Sequence, residues 1–258
     1  MYKVVFFDVD GTLLSEIDRS MHESTKEAIY RLIDKGIHVV VTTGRPYNLC
    51  AQFKEMGIHT IISANGAHIK CEETVIHKSV ISSEIVHDIS EFAALHGHGV
   101  SYFTEDFAMN GIAAHNGRVM QALSETLNLE KYPEKSRDLS EEIYCLCLYA
   151  DEIEAQKFLE RYPALTFERF HNYVINVLED SKVSKLTAIQ KVLEHLNICG
   201  SEAIAFGDGR NDIEMLEYVG LGIAMGNGGE ELKTRADFVT KKASEGGILF
   251  ALEKHYVI

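Results

Sequence analysis

Several features that would direct a protein out of the cell or into a membrane are missing from this sequence. It has only five cysteines, and no two of them form a Cys-x-x-Cys pair. Reduced thiols in a cytoplasmic protein are therefore favoured over a disulfide framework or a zinc site. No run of about 18 apolar residues occurs, so no membrane span is expected. The first residues form a strand-like apolar segment with no basic region before it, so no signal peptide is expected.

Positive charge is also scarce. The chain has 25 lysines and arginines against 39 aspartates and glutamates, which gives a formal net charge of −14 at pH 7. Such a chain repels nucleic acid and anionic membranes at long range, so neither is expected as a partner. It repels phosphorylated small molecules as well. A phosphate site must therefore be built locally by a metal ion, a lysine or backbone N–H groups.

Two common nucleotide-binding signatures do not occur. The glycine-rich segment Gly222–Gly229 does not spell Gly-x-Gly-x-x-Gly, and no Gly-x-x-x-x-Gly-Lys-Ser/Thr sequence is found. A dinucleotide site or a P-loop is therefore not expected.

Strand-like and helix-like segments alternate at both ends of the chain. The apolar run Val4–Phe7 predicts a buried strand, residues Glu23–Asp34 predict an amphipathic helix, and Ile37–Val41 predict a second strand. The pattern resumes with a helix at Lys185–His195 and a strand at Ala203–Phe206. Strands that alternate with helices predict a parallel sheet with right-handed crossovers.

The middle of the chain differs, because its predicted strands occur in pairs with helices between them. This pattern is typical of a separate α+β unit. We therefore predict an α/β fold in which residues 1–80 plus 184–258 form one domain and residues 81–183 form an inserted α+β domain. Ser244 is predicted to cap a last helix.

Reactive side chains follow the predicted strands of the parallel pattern. Asp8 and Asp10 follow the first strand, Thr43 follows the second, and Asp208 follows the strand near the end of the chain. Lys185 lies at the start of the helix before that last strand. Ligands bind beyond the carboxyl ends of the strands in open parallel sheets, so these residues form one candidate site.

The acidic residues of this set predict a cation site. Asp8 and Asp10 are two positions apart in an extended segment, so their carboxylates can face the same way. Carboxylates that lie this close repel each other unless a cation lies between them, and Asp208 adds a third. Oxygen ligands of this kind suit Mg²⁺. The alternative is three solvated aspartates in loops.

Four short motifs, in chain order, resemble those of the haloacid dehalogenase superfamily of phosphotransferases. They are Phe7-Asp8-Val9-Asp10-Gly11-Thr12-Leu13, Thr43-Gly44-Arg45, Lys185 and Gly207-Asp208-Gly209-Arg210-Asn211-Asp212. Two further segments, Met215-Leu216 and Ala224-Met225-Gly226-Asn227, resemble the Cof-type subfamily, which carries a large α/β (C2, type IIB) cap after the second motif. The resemblance implies a Rossmann-like core and a cap at residues 81–183, where the match is in position and size only.

The resemblance also implies a covalent mechanism. Asp8 would attack phosphorus and form an aspartyl-phosphate, while Asp10 would protonate the leaving oxygen and then deprotonate the attacking water. Mg²⁺ would be held by Asp8, Asp208 and the backbone carbonyl of Asp10. Asp212 would be a further ligand or would support one.

Phosphate binding is implied at five positions, namely Val9, Thr43, Gly44, Lys185 and Asn211. Thr43 would donate its hydroxyl, Gly44 its N–H, Lys185 a point charge and Asn211 a neutral donor. Each has an ordinary alternative: Thr43 or Asn211 would cap a helix, and Lys185 would be a solvated helix residue.

The third motif is the least regular of the four. Leu186 stands where the family often has glycine. Lys182 competes with Lys185 for the role of the motif lysine. Lys185 is preferred because Ser184 can cap the helix and place the lysine in the first turn.

The predicted function is Mg²⁺-dependent hydrolysis of a small phosphorylated metabolite, such as a sugar phosphate, by a cytoplasmic monomer or homodimer. Arg169, His171 and Tyr173 lie at a predicted corner between two cap strands and would read the substrate, unless they form only a polar hairpin tip. The alternatives are a phosphomutase of the same superfamily, a signalling protein that carries phospho-aspartate, and a sugar-phosphate-binding protein without turnover.

Overall fold

The computed structural model describes residues 1–105, 107–109, 116–127, 129, 141–180 and 182–258. These residues divide into two compact units. The first comprises Met1–Thr43, Cys50–His77 and Ser184–Ile258, and the second comprises Gly44–Leu49 and Lys78–Val183. The short segment after Thr43 thus belongs with the inserted unit, which the sequence did not indicate. The domain boundaries themselves stay a prediction.

The structure contains these strands, in chain order: β1 Val4–Asp8, β2 His38–Thr42, β3 Thr60–Ser63, β4 His68–Cys71, β5 Thr74–Lys78, β6 Gly99–Phe103, β7 Phe107–Met109, β8 Cys145–Tyr149, β9 Thr166–His171, β10 Val174–Leu178, β11 Ala203–Gly207, β12 Leu221–Ala224 and β13 Phe238–Val239. It contains these helices: α1 Glu23–Asp34, α2 Ala51–Glu55, α3 Ser83–Leu95, α4 Gly117–Leu127, α5 Glu152–Arg161, α6 Lys185–Leu196, α7 Ile213–Tyr218, α8 Glu230–Arg235 and α9 Gly247–Lys254. No helix in the described ranges combines the length and the apolar character needed to cross a membrane.

The sheet of the first unit has the order β13-β12-β11-β1-β2-β3-β4-β5 among the described strands. Strand β1 pairs in parallel with β11 on one side and with β2 on the other. The parallel pairing continues from β11 to β12 and β13, and from β2 to β3, whereas β4 is antiparallel to β3. The carboxyl ends of β1, β2, β11 and β12 therefore lie along one edge of the sheet.

Burial on both faces keeps this sheet in place. Every residue of β1 is buried. Phe6 belongs to an apolar cluster with Ile189 and Val192 of α6. Phe7 stacks on Phe206 of β11, with ring centroids 5.0 Å apart. A buried aliphatic or aromatic side chain stabilises a fold by about 1.5–3 kcal/mol, so β1 is strongly anchored before its last residue, Asp8, is reached.

The second unit is built on an antiparallel sheet with the order β7-β6-β8-β10-β9 among the described strands. Helices α3 and α5 pack on one face, where Ile89 and Phe158 join a cluster with Leu148 and Val177. Every residue of β8 is buried, Cys145 and Cys147 included. A parallel core with a separate antiparallel unit confirms the predicted α/β fold class.

One predicted helix start is wrong. Helix α9 begins at Gly247 with Gly246 at its N-cap, not at Ser244. Gly246 has φ +72°, a left-handed conformation that glycine adopts at low cost. Ser244 instead lies in a 3₁₀ turn, where its hydroxyl donates to Glu16 at 2.6 Å. Helix α8 and the short strand β7 were not predicted, because segments this short show little periodicity.

Candidate active site

Asp8 is the last residue of β1 and lies opposite Thr42 of β2 in the parallel register. The residue is buried, and its side chain is only 9% exposed. The chain then turns sharply, since the N–H of Leu13 donates to the carbonyl of Asp8 at 3.3 Å and the N–H of Leu14 donates to that of Val9 at 2.9 Å. Val9 is buried, while Asp10 is exposed at the turn. The two aspartates of the first motif therefore differ in their surroundings.

Gly11 allows a third aspartate to approach this turn. It has φ +84°, and a Cβ atom at this position would lie 2.1 Å from Oδ2 of Asp208. Any side chain here would displace that carboxylate. The glycine of the first motif is thus required by the position of the fourth motif as well as by its own backbone conformation.

Lys185 approaches the same place from α6. Ser184 caps the helix, since its hydroxyl accepts a hydrogen bond from the N–H of Thr187. In turn, the hydroxyl of Thr187 accepts one from the N–H of Ser184. The cap sets Lys185 in the first turn, where its side chain is 2% exposed. Its Nζ lies 2.5 Å from Oδ1 of Asp8 and 2.6 Å from Oδ1 of Asp212.

Two carboxylates keep this buried ammonium group charged. Burial alone lowers the pKa of Lys185, but the attraction of Asp212 and Asp8 outweighs it, so the pKa is raised above its ordinary value. A buried charge without such partners would cost several kcal/mol. Lys182, the alternative lysine of the third motif, is exposed.

Asp212 links Lys185 to the loop after β11. It is fully buried, and its Oδ2 accepts from the backbone N–H groups of Asp208 at 3.1 Å and Gly209 at 2.9 Å, while its Oδ1 accepts from Lys185. At Gly207, a Cβ atom would lie 2.5 Å from the Cβ of Asp212. Both carboxylate oxygens of Asp212 thus already accept hydrogen bonds from the protein. This favours a role in which Asp212 holds Lys185 and the loop after β11 in place over a role as a direct metal ligand.

Asp8, Asp208 and Asp212 form an acidic cluster. One carboxylate oxygen from each lies within 4.8 Å of the others. Burial raises the pKa of Asp208 to about 9, and Asp8 and Asp212 add repulsion. Burial also raises the pKa of Asp8 to about 7, with Lys185 opposing and Asp212 and Asp10 adding to the rise. A divalent cation would relieve this repulsion, and the carboxylate donor set fits Mg²⁺.

Thr43 directly follows β2, beside Asp8's strand. It is 1% exposed, its N–H donates to the carbonyl of Ile62 at 2.9 Å, and its carbonyl accepts from Asn65 at 3.0 Å. Asn211 is exposed, and its Nδ2 donates to Oδ1 of Asn65 at 3.2 Å. Gly44 follows Thr43 in the chain. The structure thus joins Asp8, Lys185, Asp208 and Asp212 by direct contacts and places Thr43 and Asn211 around Asn65.

Two asparagines of this region were missed in the sequence. Asn65 is buried and has φ +54°, a conformation that asparagine tolerates better than most residues. Its position two residues after β3, beside Gly66, was the available signal. Asn227 donates to the carbonyl of Gly11 and to Asp208. It lies in the segment Ala224-Met225-Gly226-Asn227, whose resemblance to the Cof-type subfamily implies no role for it.

The three predicted specificity residues have contacts inside the second unit. Arg169 donates to the carbonyl oxygens of Ala150 and Asn172 at 3.1 and 2.9 Å. Nε2 of His171 lies 2.9 Å from Oε2 of Glu125. The guanidinium of Arg118 lies 3.8 Å from the centroid of the Tyr173 ring. These contacts stabilise the turn between β9 and β10, and a role in specificity stays a prediction.

Comparison with known families and structures gives an independent result. The family model for haloacid dehalogenase-like hydrolases matches residues 5–252, which is nearly the whole chain. The match therefore includes both the residues of the acidic cluster and the inserted unit.

Individual relatives agree with this family. The putative phosphatase YkrA of Bacillus subtilis is 36% identical, over 98% of this chain and 97% of its own length. The 5-amino-6-(5-phospho-D-ribitylamino)uracil phosphatase YitU of the same organism is 27% identical, over 98% and 97%. The structure of the subclass IIB sugar phosphatase BT4131 superposes with a TM-score of 0.86 at 29% identity, over 99% and 100% of the two chains. The acidic cluster, the fold and these relatives together show that the chain belongs to the haloacid dehalogenase-like hydrolases and is an enzyme of their phosphatase type.

Proposed function

We propose that this enzyme is a Mg²⁺-dependent phosphomonoester hydrolase that uses Asp8 as its nucleophile. The observation that carries the proposal is the contact between Lys185 and Asp8, 2.5 Å long and almost closed to solvent. A carboxylate that is held by a fixed ammonium group at the end of a rigid strand is restrained in one orientation. Such restraint favours attack on a phosphoryl group placed in line with it.

The first half of the reaction transfers the phosphoryl group to the enzyme. An oxygen of Asp8 forms a bond to phosphorus while the bond from phosphorus to the substrate oxygen breaks. Asp10 gives a proton to that leaving oxygen. Its exposed position two residues from Asp8 supports this role, because a proton donor must reach the substrate. Lys185 neutralises part of the negative charge that gathers near Asp8.

The second half releases phosphate. Asp10, now deprotonated, takes a proton from a water molecule, which attacks phosphorus and breaks its bond to Asp8. Asp8, Asp208 and the backbone carbonyl of Asp10 are the proposed holders of Mg²⁺. When bound, the ion supplies positive charge that offsets the repulsion between the carboxylates and the phosphoryl oxygens. Thr43, Val9, Gly44 and Asn211 are the proposed phosphate donors.

The names of two relatives support a substrate class. One is a sugar phosphatase and the other acts on a phosphoribitylamino-uracil, so both names contain a phosphorylated sugar or sugar alcohol. We propose a small phosphate ester of that kind as the substrate. A cytoplasmic location and a monomeric or homodimeric state stay predictions.

The test is an assay of the purified chain for phosphate release from p-nitrophenyl phosphate and from a panel of sugar and sugar-alcohol phosphates. Activity should disappear with excess EDTA and return with Mg²⁺. Isomerisation of a hexose phosphate without phosphate release would favour the phosphomutase instead. A phosphorylated enzyme that persists for hours would favour the signalling protein.

A further inference from the structure

The side-chain amide of Asn227 joins the loops that follow four neighbouring strands. Asn227 itself lies in the loop after β12. Its Nδ2 donates to the carbonyl of Gly11, after β1, at 2.7 Å and to Oδ2 of Asp208, after β11, at 3.3 Å. Its Oδ1 accepts from the N–H of Ala243, after β13, at 3.0 Å. These four strands are consecutive in the sheet, so one side chain spans this part of its carboxyl edge.

The three partners determine which way the amide points. Gly11 and Asp208 present acceptor oxygens, and Ala243 presents a donor, so the nitrogen must face the first two and the oxygen must face the third. Asparagine meets this set with two N–H groups and one carbonyl. Aspartate has no N–H to offer, and alanine has neither group.

Asp208 is confined from several sides. Gly11 is so close that a Cβ atom there would overlap its carboxylate, and Asn227 donates to the same oxygen, Oδ2. The carbonyl of Asp208 accepts from the N–H of Gly229 at 3.3 Å, and its N–H donates to Asp212. The loop that carries Asn227 therefore contacts both the side chain and the backbone of Asp208.

We propose that Asn227 is a positioning residue, which fixes the carboxylate of Asp208 in the orientation that holds the divalent cation. The inference rests on the proposed function only in taking Asp208 as a ligand of the cation. A side chain that orients a metal ligand typically contributes 10–100-fold to metal affinity. Asn227 should therefore affect the binding of the cation more than it affects the fold.

The experiment measures Mg²⁺ binding to the full chain by titration calorimetry without substrate, for the wild type, Asn227→Ala and Asn227→Ser. We expect a dissociation constant about 10-fold higher in both variants. In the phosphatase assay, the Mg²⁺ concentration for half-maximal rate should rise by a similar factor, with a smaller change in KM for the organic substrate. The serine variant keeps a polar group and serves if the alanine variant does not fold.

Thr240→Val is the matched control. Thr240 is buried near Asn227's loop, and its hydroxyl donates to the carbonyl of Gly247 at 2.6 Å, with no contact to the acidic cluster recorded among the described residues. This change should lower the melting temperature and leave the affinity for Mg²⁺ unchanged. If both asparagine variants behave like Thr240→Val, the positioning role is wrong and Asn227 only stabilises the loops.

The wild type separates this inference from the proposed function. A wild-type chain that binds Mg²⁺ and hydrolyses phosphate esters, with unchanged affinity in the Asn227 variants, overturns the positioning role alone. A wild-type chain that binds no Mg²⁺ overturns both.

Discussion

Nζ of Lys185 lies 2.5 Å from Oδ1 of Asp8, although 177 positions separate the two residues in the chain. The contact exists because the start of α6 reaches the carboxyl end of β1, and because Asp212 accepts from the same ammonium group at 2.6 Å. One lysine thus balances two buried carboxylates. The stability of the site therefore depends on this charge balance.

Asp8→Asn should abolish turnover. The variant keeps the size and the hydrogen-bonding oxygen of the side chain but removes the proposed nucleophile, so kcat for p-nitrophenyl phosphate should fall by about 10⁴-fold or more. Asp34→Asn, an exposed change at the end of α1, is the control and should retain full activity. Hydrolysis by a correctly folded Asp8→Asn protein would show that Asp8 is not the nucleophile.

Lys185→Met should destabilise the metal-free protein by about 3–5 kcal/mol. The change leaves the carboxylates of Asp8 and Asp212 buried without their shared cation, and the cost is that of unpaired buried charge. Urea denaturation in EDTA measures it.

The double variant Lys185→Met with Asp212→Asn tests the same charge balance. Removing one unpaired carboxylate should recover part of the loss, so the double variant should be more stable than the sum of the two single changes predicts. If the loss in the free energy of unfolding of the double variant equals the sum of the losses of the two single variants, Lys185 and Asp212 do not interact in this way.

The free energy of unfolding of the metal-free protein should depend on the charge of Asp208. Its pKa in the folded protein is raised by burial to about 9, above the ordinary 3.8, so the folded state retains a proton that the unfolded state releases. At pH values between these two pKa values, the folded state binds more protons than the unfolded state. The free energy of unfolding therefore decreases as the pH rises through this range. Asp208→Asn removes the titration. In EDTA, the variant should gain stability relative to the wild type between about pH 5 and pH 8.

Urea denaturation at several pH values checks this prediction, and added Mg²⁺ provides the control. The ion should stabilise the wild type more than Asp208→Asn, because a ligand that binds only the folded state stabilises it. If the free energies of unfolding of the wild type and of Asp208→Asn change with pH in parallel across this range, the assigned rise in the pKa of Asp208 is wrong.

Gly11→Ala should be far more harmful than Gly36→Ala. Both glycines have positive φ, +84° and +72°, so both changes carry a conformational cost of about 1–2 kcal/mol. At Gly36 no atom of the described residues, apart from the glycine and its chain neighbours, lies within 4 Å of the added Cβ, whereas at Gly11 the Cβ would overlap the carboxylate of Asp208. We expect Gly36→Ala to lose stability only, and Gly11→Ala to lose Mg²⁺ affinity and activity as well. Equal activity of the two variants would contradict the close approach.

Much of the site could be predicted because the signals are local. Asp8 and Asp208 end apolar runs, and parallel strands bring such ends to one edge. Ser184 marks the start of α6 and so selects Lys185. Position alone could mark Asn65 as a candidate, but the contacts of Asn65 and Asn227 could not be predicted, because their amides bind segments that are distant in the chain. The predicted cap at Ser244 was wrong because the hydroxyl of Ser244 donates to Glu16, 228 positions away, instead of capping α9.

Strand β1 lies inside its sheet, with β11 on one side and β2 on the other, so its backbone groups can be exposed only by separating strands. Amide hydrogens of Val5 and Phe7 should therefore exchange with deuterated solvent on the timescale of global unfolding, whereas those of the outer strands β5 and β13 should exchange through local opening. Fluctuations that fray the rim of the sheet would then leave Asp8 in place. An enzyme arranged in this way can lose order at the edges of its sheet, during warming or partial denaturation, before the carboxylate of Asp8 is displaced.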